Sequence, residues 1–272
     1  DRVRTAADAG FDYIQAGDHH VMQRAHYFQN VPTTARITAE INWVGSLFLL
    51  PLYNPVLIAE QAGTIAAFTD KFDFWCALGY TPDEFSAFDV SLDERVGRFE
   101  ESLDLIQSLW AEDTVSHNGK YYEFTDVGIN PKADVNRIVI GGSAKPAIER
   151  AARLGDAWVA APSESRADLE QKINWYRDAC DGGGTVMVRR DALGLPDDDT
   201  AKESATTILQ EGYRNWDPAD AWILAGDPNS IKADYEELAE LGVDEVVIRP
   251  MDDSYSHETL ETTAKAQKKY LA

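Results

Sequence analysis

The sequence predicts an α/β fold of the (β/α)8 TIM-barrel class, as a single domain over residues 1–272. Three observations predict it. Apolar strand-like runs alternate with helix-like segments along nearly the whole chain. Seven such strands are each followed by a helix, and one more helix precedes the first. The 272 residues, 44% of them hydrophobic, suffice for one sizeable core, and barrels of about 250 residues are commonly one domain. A closed eight-stranded barrel needs another strand at the front. The expectation is therefore a first strand missing from this sequence, which opens at Asp1 directly in a helix; the alternative is a barrel left open or patched by a partner.

The elements justify themselves in order. Residues 3–9 read as a helix stopped by Gly10, and 13–16 as a strand. A helix over 33–40 starts just after Pro32. Residues 42–50 form a long apolar strand that Gly45-Ser46 interrupts, the signature of a bulge. Pro55 opens a helix to 68, and 72–78 is a buried strand ending at Gly79. A polar loop leads to a helix over 93–110, whose Val96, Phe99, Leu103, Ile106 and Leu109 recur at helical spacing. Residues 114–130 are irregular, with a small hairpin through Gly119. Beyond them, 137–140, 157–160, 185–190 and 245–249 read as strands. Residues 146–154, 167–179, 229–241 and 257–271 read as helices, and 200–212 as a helix within an insertion near 193–220.

Composition excludes several classes. No apolar run reaches the roughly 18 residues that span a membrane, and no signal-peptide pattern is present. Two cysteines, Cys76 and Cys180, make no disulfide framework, so a reducing cytoplasm is expected. The net charge is −22, from 47 acidic and 25 basic residues. That balance argues against nucleic acid, whose phosphates need Lys/Arg patches. The acids are spread along the chain, as at Asp197-Asp198-Asp199 and Glu236-Glu237. Spread acidity over an ordinary core reads as a solvated surface suited to high salt.

The strongest chemical signal is Asp18-His19-His20, directly after the first strand. Titratable residues at the carboxyl end of a parallel strand stand where α/β enzymes do chemistry, and histidine exchanges protons near neutral pH. A metal reading would gather Asp18, His19, His20 and His26. Adjacent histidines seldom reach one ion together, and neither cysteine nor HExxH spacing supports it, so no metal is expected. Gly141-Gly142-Ser143-Ala144 follows a strand and opens a helix; it reads either as a turn or as a phosphate cradle of backbone N–H groups plus a hydroxyl. Leu78-Gly79-Tyr80 ends a strand, where glycine lets backbone approach a ligand. Arg95 and Arg98 either pair on the helix surface with Glu100 and Glu101 or face a cofactor phosphate. Arg189, Arg190 and Arg249, at strand ends, either hold an acidic group or neutralise nearby acids. No GxGxxG follows any strand, so no dinucleotide domain is expected.

Several segments together resemble the bacterial-luciferase-like flavin monooxygenase family, which includes F420-dependent oxidoreductases. They are AADAGFDYIQAGDHH at 6–20, VGSLFLLPLYNPVLIAEQAGTIAAFTD at 44–70, ALGYTPDEFSAFDVSLDERVGRFEESLDLIQSLW at 77–110, NGKYYEF at 118–124, GGSAKPAIERAARLGDAWV at 141–159 and GDPNSIKADYEELAELGVDEVVIR at 226–249. Their order and spacing carry the resemblance, over most of the chain. It implies a barrel holding FMN, or alternatively F420, at the carboxyl ends of its strands. His19 then becomes the catalytic residue beside the flavin edge, with Asp18 next to it. Ser46 and Leu47 match a position where some members place a non-proline cis peptide against the ring. Gly79 and Tyr80 line the ring or the phosphate pocket, and Gly141, Gly142 and Ser143 hold the phosphate. The implied activity is monooxygenation of a small organic substrate by reduced FMN and O2, with a separate flavin reductase as partner. F420-dependent hydride transfer and flavin binding without turnover are the alternatives. The resemblance also implies a homo-oligomer. Substrate choice would lie in loops such as 22–31 and 193–220.

Overall fold

The computed structural model describes residues 2–21, 29–213, 216 and 221–271. They fall into two compact units, Asp12–Ile140 and Asp1–Phe11 with Gly141–Ala272. The helix that opens the chain, α1 (Arg2–Ala9), belongs to the latter.

In Asp12–Ile140, β1 (Ile14–Ala16) pairs in parallel with β2 (Trp43–Leu49), which pairs with β3 (Lys71–Ala77). The helices α2 (Asn30–Ile37) and α3 (Pro55–Ala66) follow β1 and β2. Asn54 caps α3 by accepting the Val56 N–H at 2.9 Å, with Pro55 in the first turn where its missing N–H costs nothing. After β3, residues 78–91 are not all loop: α4 (Pro82–Ala87) forms there. A long helix, α5 (Arg95–Ala111), buries Phe99, Leu103, Ile106 and Leu109, the spacing read from the sequence. The expected hairpin is present as β4 (Val115–Asn118) and β5 (Glu123–Val127), antiparallel. Glu101 of α5 clamps it, accepting from the N–H groups of Tyr121 and Tyr122 and facing His117 Nε2 at 3.1 Å. Then β6 (Arg137–Gly141) pairs in parallel with β3. Asp73, fully buried in β3, is matched by Arg137 Nε at 2.7 Å and Asn136 Nδ2 at 2.8 Å.

Two local expectations are corrected here. The α2 helix begins at Asn30, not after Pro32, because Pro32 falls within the first turn, where no intrahelical N–H donation is needed. And β2 carries no bulge: its pairings with β1 and β3 run without a register shift through Gly45 and Ser46. Gly45 is needed for space. A Cβ there would collide with the Tyr13 hydroxyl and lie 2.8 Å from its Cζ and 3.0 Å from Trp75 Nε1.

In the other unit, α6 (Lys145–Leu154), β7 (Ala157–Ala160), α7 (Arg166–Ala179) and β8 (Thr185–Gly194) continue the alternation. They are followed by α8 (Asp198–Gln210), β9 (Leu224–Gly226), α9 (Pro228–Glu240), β10 (Glu245–Pro250) and α10 (Ser256–Leu271). Strand β8 pairs in parallel with β7 and β10, and β9 adds to its far end. Several acids that looked like bare surface charge are helix caps. Asp197 accepts from Thr200 N–H, and Asp227 from the N–H groups of Asn229 and Ser230. α1 lies on α10, tied by Thr5 Oγ1 to His257 Nδ1 at 2.9 Å and by Lys268 Nζ to the Ala9 carbonyl at 3.1 Å. The parallel α/β fold class is the one expected. No helix among the described residues is long and apolar enough to cross a membrane.

Candidate active site

The chain leaves β1 through Gly17 and turns Asp18 into the protein. The carboxylate is 1% exposed and accepts the Leu49 N–H at 2.9 Å and the Tyr53 hydroxyl at 2.9 and 3.0 Å. Tyr53 thus gives its one proton to Asp18, and its oxygen, 2.7 Å from His20 Nε2, accepts from that ring. His20 Nε2 is also 3.3 Å from Asp18 Oδ1. The hydrogen bond to Asp18 raises the His20 imidazole above its ordinary value; burial opposes this, and the charges of Asp18 and Glu84 add to it. Burial foremost, then Asp18, pushes the Tyr53 phenol far up, so it stays a donor.

His19 points elsewhere. Its Nδ1 is 3.2 Å from Oε1 of Glu84 on α4, a side chain that is fully buried, and the same oxygen accepts the His20 backbone N–H at 2.6 Å. The His19 ring is 19% exposed, so solutes can reach it. Tyr80 meets it edge-on at 6.2 Å between centroids and is itself 75% exposed. Gly79 turns the chain from β3 into α4 at φ +73°, a conformation glycine adopts without strain.

Ser46 and Leu47 stand in β2 two and three residues before Leu49. Ser46 is buried and accepts from the Thr34 hydroxyl at 3.1 Å; the Leu47 carbonyl accepts from the Asn30 amide. The bond between them is trans, which corrects the expected cis peptide. The cause is the same unbroken ladder: Ser46 pairs with both Ala16 and Phe74, and Leu47 with Trp75. The cis bond among the described residues is Asn130–Pro131.

Gly141, Gly142 and Ser143 lie in the other unit, ahead of α6. The residue before that helix is Ala144, which offers no side-chain cap, and Pro146 offers no N–H. Donors at this terminus are therefore the exposed Ser143 hydroxyl and backbone N–H groups up to Lys145. Trp158 Nε1 donates to the Gly142 carbonyl at 2.8 Å, and a Cβ on Gly142 would sit 2.7 Å from that of Ala147. Glycine, an uncapped helix start and a hydroxyl make a donor set that fits a phosphate. Trp158 itself is fully buried core.

Arg249 stands near the end of β10 (Glu245–Pro250), as expected, but the arginines of α5 and β8 depart from their expected places. Arg98 pairs with Glu94 at 2.9 Å, and Arg95 Nη1 donates to the Leu92 carbonyl. The expected Glu101 is taken by the hairpin. Arg190 is no strand end: β8 runs on to Gly194, and Arg190 and Asp191 are fully buried. Its guanidinium lies 4.7 Å over Trp222 with Nη1 on the Pro162 carbonyl, and burial pushes it down to about 10. Among the described residues no three His, Cys, Asp or Glu side chains are grouped to hold a metal ion. His26, within 22–28, lies outside the described residues, as does most of 22–31, one of the two loops expected to choose substrate. Glu84 and Tyr53 are the site residues that sequence reading missed. The one signal for Glu84 was Thr81-Pro82-Asp83-Glu84, a helix-start pattern inside what read as a polar loop.

A parallel α/β chain with a buried carboxylate–histidine pair after one strand and a phosphate-type helix start after another has the parts of a cofactor-using α/β enzyme. Residues 1–245 match the model of the luciferase-like monooxygenase family, and the chain belongs to that family. It is 27% identical over 208 residues to an FMNH(2)-dependent dimethylsulfone monooxygenase of Pseudomonas putida, covering 69% of this chain and 56% of that protein. It is 22% identical to an F420-dependent glucose-6-phosphate dehydrogenase of Kribbella flavida, covering 89% of this chain and 85% of that protein. A monooxygenase structure from Streptomyces bottropensis shares the fold at TM-score 0.85 and 20% identity, covering 99% of this chain and 92% of that one. The chain thus spans little more than half the length of the dimethylsulfone monooxygenase it matches.

Proposed function

We propose that this chain is the oxygenating component of a two-component flavin monooxygenase. Reduced FMN, delivered by a separate reductase, supplies the two electrons; one atom of O2 enters a small organic substrate and the other leaves as water. The observation that carries the reading is His19, reachable from solvent and bonded through Nδ1 to the fully buried Glu84. That arrangement suits an imidazole that takes up and returns a proton at Nε2 beside the flavin or substrate oxygen. Asp18, Tyr53 and His20 form the bracket that holds the segment still. Leu47, Gly79 and Tyr80 would line the ring beside His19; in the other unit, Gly141, Gly142 and Ser143 at the start of α6 are read by themselves as a phosphate-binding donor set. We place the protein in the cytoplasm, in a salt-rich cell to which its charge of −22 is suited.

F420-dependent hydride transfer is the second reading, favoured by the extent of the Kribbella flavida match. Against it, F420 carries an anionic glutamate tail, which a chain of net charge −22 repels. Titration with FMN and with F420 in high salt separates the two. The first reading expects FMN binding and reductase-dependent O2 uptake. F420 binding without FMN binding would sink it, and FMN binding with no turnover would leave a flavin carrier.

A further inference from the structure

Glu84 lies three residues after Thr81, the spacing at which a glutamate turns back to cap the start of its own helix. It does not do so here. Its Oε1 takes the His20 N–H and faces His19 Nδ1, and its Oε2 has no hydrogen-bond partner among the described residues. A fully buried carboxylate withdrawn from its local cap and aimed at a residue 65 positions away is committed to that residue.

We infer that Glu84 is a positioning residue that fixes His19 as the Nδ1–H tautomer, leaving Nε2 with the lone pair that receives the proton. The Oε1 that takes the His20 N–H is an acceptor, so the ring nitrogen facing it at 3.2 Å carries the hydrogen. The opposite tautomer would set a nitrogen lone pair against a buried carboxylate oxygen. Two adjacent residues bond to one oxygen: the backbone bond at 2.6 Å fixes where the segment passes α4, and the ring bond fixes how His19 is turned. His20 is held by a different carboxylate, Asp18, so its ring does not compete for Glu84. The same logic orients histidines that serve metals or nucleophiles, whose nitrogen away from the carboxylate does the chemistry. This inference rests on His19 as the proton-handling group, but the tautomer exists without cofactor.

The test is a long-range 1H–15N spectrum of the whole chain labelled with ring-15N histidine, at about pH 8, where an ordinary imidazole is neutral. His19→Gln identifies the His19 signals by their loss. The expected wild-type pattern is a protonated Nδ1 and an unprotonated Nε2. Glu84→Met should give a mixed pattern, while Glu84→Gln, which keeps an acceptor oxygen and the shape, should stay closer to wild type. With FMN and reductase, kcat should fall about 10–100-fold in Glu84→Met with KM little changed, the scale of losing a group that orients a ligand, and Glu84→Gln should recover part of it. A protonated Nε2 in wild type overturns the inference, and so does unchanged kcat in a folded Glu84→Met. If Glu84→Met fails to fold, the wild-type spectrum and Glu84→Gln still decide. Failure to bind FMN would count against the monooxygenase reading while the tautomer result stands on its own.

Discussion

Replacing Asp18 by Asn changes one atom and should unsettle the whole bracket. Two donors bond this carboxylate, the Leu49 N–H and the Tyr53 hydroxyl, and His20 Nε2 stands 3.3 Å from Oδ1 as its charged partner when protonated. An Asn offers one oxygen to them and turns an NH2 toward at least one donor. That donor is left buried and unpaired, costing about 1–3 kcal/mol, and the remaining bonds lose their charge assistance at roughly 0.5–1.5 kcal/mol each. Because Asp18 is only 1% exposed, water screens little of this. The sum is roughly 2–6 kcal/mol, which in a chain of this size lowers Tm by about 4–20 °C. The loss has a pH signature. Asp18 raises the His20 imidazole above its ordinary 6.5. A raised imidazole stabilises the fold fully below the unfolded value, and that contribution is lost as pH rises through the folded value. Asn removes it, so the gap between wild type and Asp18→Asn should be wider at about pH 5.5 than at about pH 8.5. Urea unfolding of both proteins at the two pH values measures this. A gap under about 0.5 kcal/mol, or one that grows with pH, refutes the reasoning.

Other perturbations test other parts. Gly45→Ala drives a Cβ into the Tyr13 ring, which is wedged against Trp43 and Trp75, and should cost about 1–3 kcal/mol by overpacking; Tyr13→Phe removes the nearest atom and should restore part of it, so additive losses in a double-mutant cycle would contradict the clash. Ser143→Ala should weaken FMN binding about tenfold or more, the worth of a hydrogen bond to a charged group, with Tm unchanged because Ser143 is exposed; equal affinity by fluorescence titration would remove it from the cradle. The Glu101 carboxyl is raised by burial, but bonds from His117, Tyr121 and Tyr122 outweigh this and hold it below the usual range. A lowered carboxyl stabilises above the unfolded value and loses that as pH falls through the folded one. Protection from amide exchange at Tyr121 and Tyr122, relative to the intrinsic rate at each pH, should therefore fall in acid in wild type and be low at all pH in Glu101→Ala. Finally, Tm should rise with salt from about 0.1 to 1 M as repulsion among the acids is screened; a falling Tm would contradict a surface built for salt.

What was legible in the sequence was whatever depends on neighbours along the chain. The spacing of Phe99, Leu103 and Ile106, the Pro55 helix start and the Gly79 turn are all local, and each stands where the residues placed it. Several of the errors share a physical cause: a residue's local habit points one way and a distant partner decides otherwise. Gly45 looked like a bulge because its reason for being glycine, the ring of Tyr13, comes from another strand. Arg189-Arg190 reads as the end of a strand, yet β8 runs on to Gly194: Trp222 and the Pro162 carbonyl receive Arg190 inside, and Tyr213 donates to Asp191. Glu84 is the sharpest case. Its sequence context fits a helix cap, and its side chain serves two histidines 64 and 65 residues earlier. The strand-end rule found those histidines because it is a rule about topology, which the order of elements reveals. It missed their carboxylate because burial and pairing are properties of the folded chain. Departures from local habit such as this one therefore point to function: a glutamate that leaves its helix start uncapped, and stays buried with one oxygen unbonded, is better explained by the imidazole it orients than by the helix it begins.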